Sequence, residues 1–254
     1  SKRDDGYHNI RSGVTLINLF DEVLAEKDDK FSVNYIGKFA PKNNKFRDCI
    51  VEKIFSKLEI KKPNYSFTIE KNIPIMSGLG SASSNAAAVI RILEKLDYLD
   101  IKKNNFVKIG ADVPYFINNH DSLIREIGNI TIKQSFPKYF FLLIKPVQNC
   151  STTEMYDQIK SAELNFDPNF DTDQINENDT GNDFEYIVRK QSNEISNLLK
   201  FMKSLPETIF ARLTGSGSCI FAAFESKLLA EQSLSIFNKR YPFIWSKVVE
   251  NNFR

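Results

Sequence analysis

Pro74-Ile75-Met76-Ser77-Gly78-Leu79-Gly80-Ser81-Ala82-Ser83-Ser84 is the stretch on which the reading of this chain turns. Before it, Tyr65, Phe67 and Ile69 alternate with Ser66, Thr68 and Glu70, the pattern of a half-buried strand. After it, Ala86-Ala-Ala-Val-Ile90, Leu93 and Leu96 combine high helix propensity with an apolar stripe. Gly78 and Gly80 therefore fall between a strand and a helix start. The first N–H groups of a helix lack intrahelical partners, and the macrodipole places about half a positive charge there. Glycines allow an anion to approach the backbone closely, and small hydroxyl residues add donors without bulk. The stretch has the features of a phosphate cradle. It is not a P-loop, because no Gly-x-x-x-x-Gly-Lys-Ser/Thr is present. The dinucleotide fingerprint would need glycine where Ser83 stands. Alone, the stretch equally fits a strand-to-helix turn capped by Ser83 or Ser84.

Composition narrows the class. The chain has 254 residues, 42% hydrophobic and 26% charged, as expected of a soluble globular protein. At roughly 100–200 residues per domain, this is one large or two modest domains. Lys plus Arg number 34 against 32 for Asp plus Glu, so no one-signed field marks a dedicated nucleic-acid binder. Cys49, Cys150 and Cys219 are odd in number and far apart, forming neither a disulfide framework nor a metal knuckle. A reducing, cytoplasmic setting is expected. No apolar run approaches the ~18 residues of a membrane span, and Tyr139–Ile144, the longest candidate, has strand length. The chain opens at Ser1 in a polar turn, so a further N-terminal segment is expected before it.

Strands are expected at Val14–Phe20 and Phe31–Tyr35, and a helix carrying Ile50, Val51, Ile54, Phe55 and Leu58 on one face. A loop follows at Gly110–Pro114, then strands at Ser122–Glu126, Ile130–Lys133 and Tyr139–Lys145 and a helix near Thr153–Ile159. Asn165–Asp183, rich in Asn and Asp, reads as a solvated loop. One helix is expected to carry Phe184, Ile187, Val188, Ile195, Leu198 and Leu199 inward. The chain closes as strand (Ile209–Leu213), glycine turn, strand (Cys219–Phe224), helix (Leu228–Phe237) and strand (Phe243–Val249). There is no internal repeat. A hinge near Pro137–Lys138 divides the chain into two α+β lobes, 1–137 and 138–254.

The loop at Pro74–Ser84 resembles the Pro-x-x-x-Gly-Leu-Gly-x-x-Ser-Ser signature of the GHMP kinases, and Thr214-Gly-Ser-Gly-Ser218 resembles that family's C-terminal glycine motif. Asp5-Gly-Tyr-His8 and Gly110-Ala-Asp-Val-Pro-Tyr-Phe116 are similar to one branch, the kinases of cytidine diphosphate-linked methylerythritol in non-mevalonate isoprenoid biosynthesis. The likeness spans nearly the whole chain. It implies an α+β, two-lobe GHMP kinase fold, with a ribosomal S5 domain 2-like N-terminal lobe and a ferredoxin-like C-terminal lobe. It also implies ATP bound along Pro74, Ile75, Met76, Ser77, Gly78, Leu79, Gly80, Ser81, Ala82, Ser83 and Ser84, with Lys71 lining the nucleotide pocket. Its catalytic carboxylate is Asp112, and the acceptor is the 2-hydroxyl of the methylerythritol moiety. Tyr7 stacks on cytosine, His8 bonds the base edge, and Tyr156 lies near the cytidine. Gly215, Ser216 and Gly217 close over the substrate. The family places a lysine and an asparagine in a first strand, Pro-x-Lys-x-Asn, just before Gly-Tyr-His; that strand is expected in the preceding segment. The connection Leu99–Lys108 is shorter than the family leads one to expect.

The same residues admit plainer readings. Asp112 fits a helix N-cap with Pro114 in the first turn. Asp5-Gly-Tyr-His8 is also an ordinary turn, Lys71 also a solvated strand end, and Gly215 and Gly217 also a hairpin turn. His120 reads as a surface loop histidine. Trp245 and most of the 21 Phe residues read as core. Mg²⁺ is expected with ATP, its ligands unassigned. A monomer or weak dimer acting on a small molecule, with neither nucleic acid nor membrane as partner, is expected. Mevalonate-type or homoserine kinase activity, or a catalytically dead nucleotide-binding relative, are the alternatives.

Overall fold

The computed structural model describes residues 3, 6, 8–42, 49–159 and 181–252. Strands β1 (Ile10–Val14), β5 (Ser122–Glu126) and β6 (Ile130–Lys133) form an antiparallel sheet in the order β1-β5-β6. A second sheet, β2-β4-β3, sets β4 (Tyr65–Glu70) antiparallel to β2 (Glu22–Lys27) and parallel to β3 (Ser32–Ile36). The alternation in β4 buries Phe67 and Ile69, in register with Ala25 and Val23 of β2. Helices α1 (Ile50–Leu58) and α2 (Ser81–Lys95) cover that face. Val51, Ile54, Phe55 and Leu58 of the first meet Ala86, Val89, Ile90 and Leu93 of the second in one core.

The third sheet combines β7 (Phe140–Lys145), β8 (Phe210–Leu213), β9 (Ile220–Phe224) and β10 (Trp245–Glu250) in the order β10-β7-β9-β8, antiparallel throughout. With α6 (Asn193–Lys203) between β7 and β8 and α7 (Lys227–Arg240) between β9 and β10, this is the ferredoxin-like β-α-β-β-α-β arrangement. The continuous apolar run in β7 follows from burial on both faces. Leu142 and Ile144 join the core under α5 (Phe184–Gln191), α6 and α7. Phe141 and Leu143 face the other way, against Leu19 and Ile73 from the first half of the chain. Two shorter helices, α3 (Val113–Asn118) and α4 (Thr152–Asp157), and a 3-10 turn at Ile101–Lys103 complete the regular elements among the described residues.

Two expectations need correction. The apolar stretch Val14–Phe20 is not a strand: β1 ends at Val14 and residues 15–21 carry no strand. Leu19 is buried against the third sheet while Leu16 N–H donates to Asp121 Oδ1 (3.0 Å) and Asn18 N–H to Glu250 O (3.1 Å). Burial, and not strand pairing, explains the apolar content. The helix expected from Phe184 to Leu199 is two helices. Ser192 between them is extended (φ −133°, ψ 107°), and its Oγ accepts from Ile195 N–H as the cap of α6. Most of the loop expected at Asn165–Asp183 lies outside the described residues. His120 is half-buried, its Nδ1 2.9 Å from Ser122 Oγ, so it braces the start of β5. Among the described residues no helix is long and apolar enough to cross a membrane.

Position decides what a phenylalanine contributes. Phe67 is fully buried and Phe243 is 97% exposed. Phe67→Ala is expected to lower unfolding free energy by about 3–5 kcal/mol, and Phe243→Ala by less than about 0.5 kcal/mol, both measured by urea denaturation.

Candidate active site

The helix ladder of α2 begins with Ser84 N–H donating to Gly80 O (2.9 Å). The amides of Ser81, Ala82 and Ser83 therefore precede it, as at any helix N-terminus. Gly80 is the N-cap residue, left-handed at φ 69°, with no side-chain cap. Neither Ser83 nor Ser84 caps the helix; Ser84 Oγ donates back to Ser81 O (3.0 Å). A Cβ on Gly80 would stand 2.7 Å from the Phe116 ring of α3, so this glycine lets α3 lie against the start of α2. Arg91 of α2 fastens the far end of α3, its Nη2 donating to Phe116 O (2.8 Å) and Ile117 O (2.9 Å).

Through that packing Asp112, at the N-terminus of α3, is carried to the N-terminus of α2. A Cβ on the neighbouring Gly110 would stand 3.5 Å from Ser83 Oγ. Asp112 occupies the N-cap position, yet its side chain makes no cap bond. Loss of water around the carboxyl raises its pKa above the ordinary carboxylate value. The residue still presents exposed surface, so solvent screening limits the shift.

Tyr156 stands on α4. Burial raises its hydroxyl pKa to about 12, with the Asp112 charge adding to the effect. His8 stacks on Tyr156 (centroids 5.1 Å apart, planes at 29°), and Phe184 meets the same ring edge-on at 5.0 Å. Tyr7 lies outside the described residues.

The second glycine turn joins β8 to β9 and docks on the first. Gly78 has φ 73°, and a Cβ there would fall 2.2 Å from Thr214 O and 2.9 Å from Gly217 O. Thr214 Oγ1 donates to Gly78 O (3.1 Å), and Cys219 N–H donates to Ser77 O (3.0 Å). Ser216 Oγ shares a 2.8 Å hydrogen bond with Thr152 Oγ1 at the start of α4. Asn182 Nδ2 donates to Gly215 O (2.7 Å) and Leu213 O (2.9 Å), while its Oδ1 accepts from Phe184 N–H (2.9 Å). The turn is a hairpin and also a wall of the cleft.

Lys71 is neither solvated nor at the surface. It is 3% exposed, and its ammonium pairs with Asp21 and with Ser81 Oγ beneath the loop. Pro74 and Ser77 are buried, whereas Ile75 and Met76 are exposed on the outer side of the loop. Asp21, Asn182, Thr152, Phe116 and Phe184 drew no individual role at the site from the sequence, Phe116 being named only within a motif and Phe184 as core. Asn182 alone carried a local signal, an Asn two residues ahead of an amphipathic helix.

Two family models match this chain, the GHMP kinases N terminal domain over residues 45–120 and the GHMP kinases C terminal over residues 169–242. The 4-diphosphocytidyl-2-C-methyl-D-erythritol kinase of Caldicellulosiruptor saccharolyticus is 31% identical, covering 100% of this chain and 93% of its own. The chain belongs to the GHMP kinase family. The enzyme of the same name from Pelagibacter ubique is 30% identical over 94% of this chain and 89% of its own. Among solved structures, a 4-(cytidine 5'-diphospho)-2C-methyl-D-erythritol kinase superposes with a TM-score of 0.74 at 21% identity, covering 98% of this chain and 92% of that one. The L. major mevalonate kinase, solved with R-mevalonate, gives 0.64 at 13% identity, covering 96% and 91%. This GHMP kinase has the family's α+β fold, with N- and C-terminal domains, and is an ATP-dependent small-molecule kinase.

Two outcomes follow from this geometry. Gly78→Ala, which forces a side chain into the Thr214 carbonyl, is expected to introduce about 1–3 kcal/mol of strain and to raise the Kd for ATP, measured by calorimetry. Asp112→Asn removes a carboxyl whose native pKa is raised. Such a group binds more protons folded than unfolded, so its unfavourable contribution grows as pH rises from the ordinary value of 3.8 through the raised one. The variant is expected to melt at a higher temperature than the parent at neutral pH, and at the same temperature near pH 3, by scanning calorimetry.

Proposed function

We propose that this kinase transfers the γ-phosphoryl group of ATP to the 2-hydroxyl of 4-diphosphocytidyl-2-C-methyl-D-erythritol in isoprenoid precursor biosynthesis. One observation carries the reading. The uncapped Asp112 opens the helix that packs on the amide-bearing end of α2, and its charge reaches Tyr156, on which His8 stacks. Curated relatives about 30% identical over nearly the full chain bear the name of that enzyme.

Each residue then has a task. The amides and dipole of α2, with the Pro74–Ser84 loop, hold the triphosphate. Asp112 accepts the proton of the 2-hydroxyl as the oxygen–phosphorus bond forms and the bond to the β-bridging oxygen breaks, releasing ADP. General-base assistance of this kind is typically worth ~10²–10⁴-fold. A raised pKa suits a proton acceptor, provided the group is ionised at working pH. Tyr7 and Tyr156 supply flat faces for the cytosine, and His8 a donor or acceptor for its edge. Gly215, Ser216 and Gly217 close the cleft from the second domain. Lys71 acts from beneath the loop. We place the division between an ATP-binding lobe and a C-terminal lobe at Pro137–Lys138, giving 1–137 and 138–254.

Mg²⁺ accompanies ATP in this chemistry and neutralises charge on the phosphates. The ion keeps several waters and takes one or two protein groups plus phosphate oxygens. Among the described residues no three His, Cys, Asp or Glu side chains gather as a metal site, and Ser81 Oγ is already held by Lys71 and Asp21. We further propose a cytoplasmic monomer or weak dimer, its thiols reduced, without a nucleic-acid partner.

Homoserine and mevalonate kinases share the fold, so the acceptor is the point to test. Coupled ADP release is expected with the diphosphocytidyl substrate and not with mevalonate or homoserine; turnover of either of those alone would reassign the acceptor. Tyr156→Ala is expected to raise the Michaelis constant for the cytidine substrate about tenfold, as loss of one base–aromatic stack implies, and to leave that for ATP unchanged.

A further inference from the structure

We propose that Asp21 is a positioning residue for the nucleotide, fixing both ends of the phosphate loop and, with Lys71, keeping the ground beneath it electrically neutral. The inference rests on reading the Pro74–Ser84 loop as the ATP site. The Asp21 side chain is fully buried. Its Oδ1 accepts from Asn72 N–H (2.7 Å) and Ile73 N–H (2.8 Å), at the point where the chain leaves β4 for the loop. Its Oδ2 accepts from Ser81 Oγ (2.8 Å) and Asn85 Nδ2 (3.0 Å), in the first turns of α2 where the chain leaves the loop again. The Lys71 ammonium completes the set, bonded to both Asp21 and Ser81. One carboxylate therefore holds the entry and the exit of the same loop, and the span between them is set by a single side chain.

Stability alone is a poor reason for such a pair. Desolvating two charges offsets much of their attraction, and an apolar replacement of similar volume is often as stable. Here the apolar replacement would lose something else, the four hydrogen bonds that index the loop against the helix. Charge gives a second reason. The α2 terminus attracts phosphate because it carries a partial positive charge. An unbalanced carboxylate within its first turn would cancel that attraction, and Lys71 prevents this. Lys71 thus serves the nucleotide indirectly, through the charge of Asp21.

The test is calorimetric titration of the full chain with a non-hydrolysable ATP analogue and Mg²⁺, alongside urea unfolding, for Lys71→Met, Lys71→Met with Asp21→Asn, and Ser81→Ala. Lys71→Met exposes the loop to a buried anion and is expected to raise the Kd roughly tenfold or more. Adding Asp21→Asn removes the anion, so the double variant is expected to bind more tightly than Lys71→Met alone. Ser81→Ala, a mild change that preserves the fold, is expected to raise the Michaelis constant for ATP about threefold while that for the cytidine substrate stays put. A purely structural pair would lower the unfolding free energy and leave the Kd of the folded protein within about twofold of the parent, which would overturn the inference. Should Lys71→Met not fold, unchanged ATP kinetics in Ser81→Ala would overturn it equally. A parent protein that does not bind the analogue would instead defeat the reading of the loop as the ATP site, and this inference with it.

Discussion

Everything in the cleft depends on two glycine turns meeting with no side chain between them. Backbone touches backbone at Gly78, Thr214 and Gly217, and a single methyl group there has no room. The first turn belongs to the segment between β4 and α2, the second to the hairpin of the ferredoxin-like sheet. Because they are joined through Thr214 Oγ1, Gly78 O and the Ser77–Cys219 bond, the start of α2 and the β8–β9 turn share one seam. The seam is continued by Leu19 and Ile73, which pack on the outer face of the four-stranded sheet. Positioning of this kind matters because phosphoryl transfer asks little covalent chemistry of a protein and much geometric discipline.

The periodic parts of the fold were legible in the sequence. Alternation found β4, a helical stripe found α1 and α2, and β-branched and aromatic runs found β5, β6, β7 and β9. Failures came where apolar content had another cause. Leu16, Ile17 and Leu19 are apolar because Ile17 and Leu19 pack on a sheet face, and chain geometry there is set by the Asp121 side chain and the Glu250 backbone carbonyl, more than a hundred residues away. The break at Ser192 was hidden because Ile187 and Val188 stand at helical spacing from Ile195, Leu198 and Leu199 on either side of it. Strand β2 was missed because Val23 and Ala25 alone give a faint alternation.

The site divides in the same way. Gly78, Gly80, Asp112 and the Thr214–Ser218 turn were visible because each is a local pattern. Local pattern could not separate the two roles open to Asp112, whose side chain makes no cap bond. Asp21 was invisible for a physical reason. Its partners lie 50 to 64 residues away, and no spacing rule connects a lone acidic residue before a short strand to a lysine and a serine that far along the chain. Lys71 was visible, and of its two readings the solvated strand end fails, since this lysine turns inward to meet that carboxylate.

At the open margin of the four-stranded sheet, Leu213 N–H on β8 is taken up by Glu185 Oε1 (3.0 Å), and the second oxygen of that carboxylate faces Arg189 (3.4 Å) and Lys203 (3.3 Å). Exposed strand margins are templates on which foreign chains polymerise. A strand arriving beside β8 would have to evict an anion already satisfied on both sides. The helix whose Phe184 meets Tyr156 thus also occupies a strand-edge donor that an incoming strand would need.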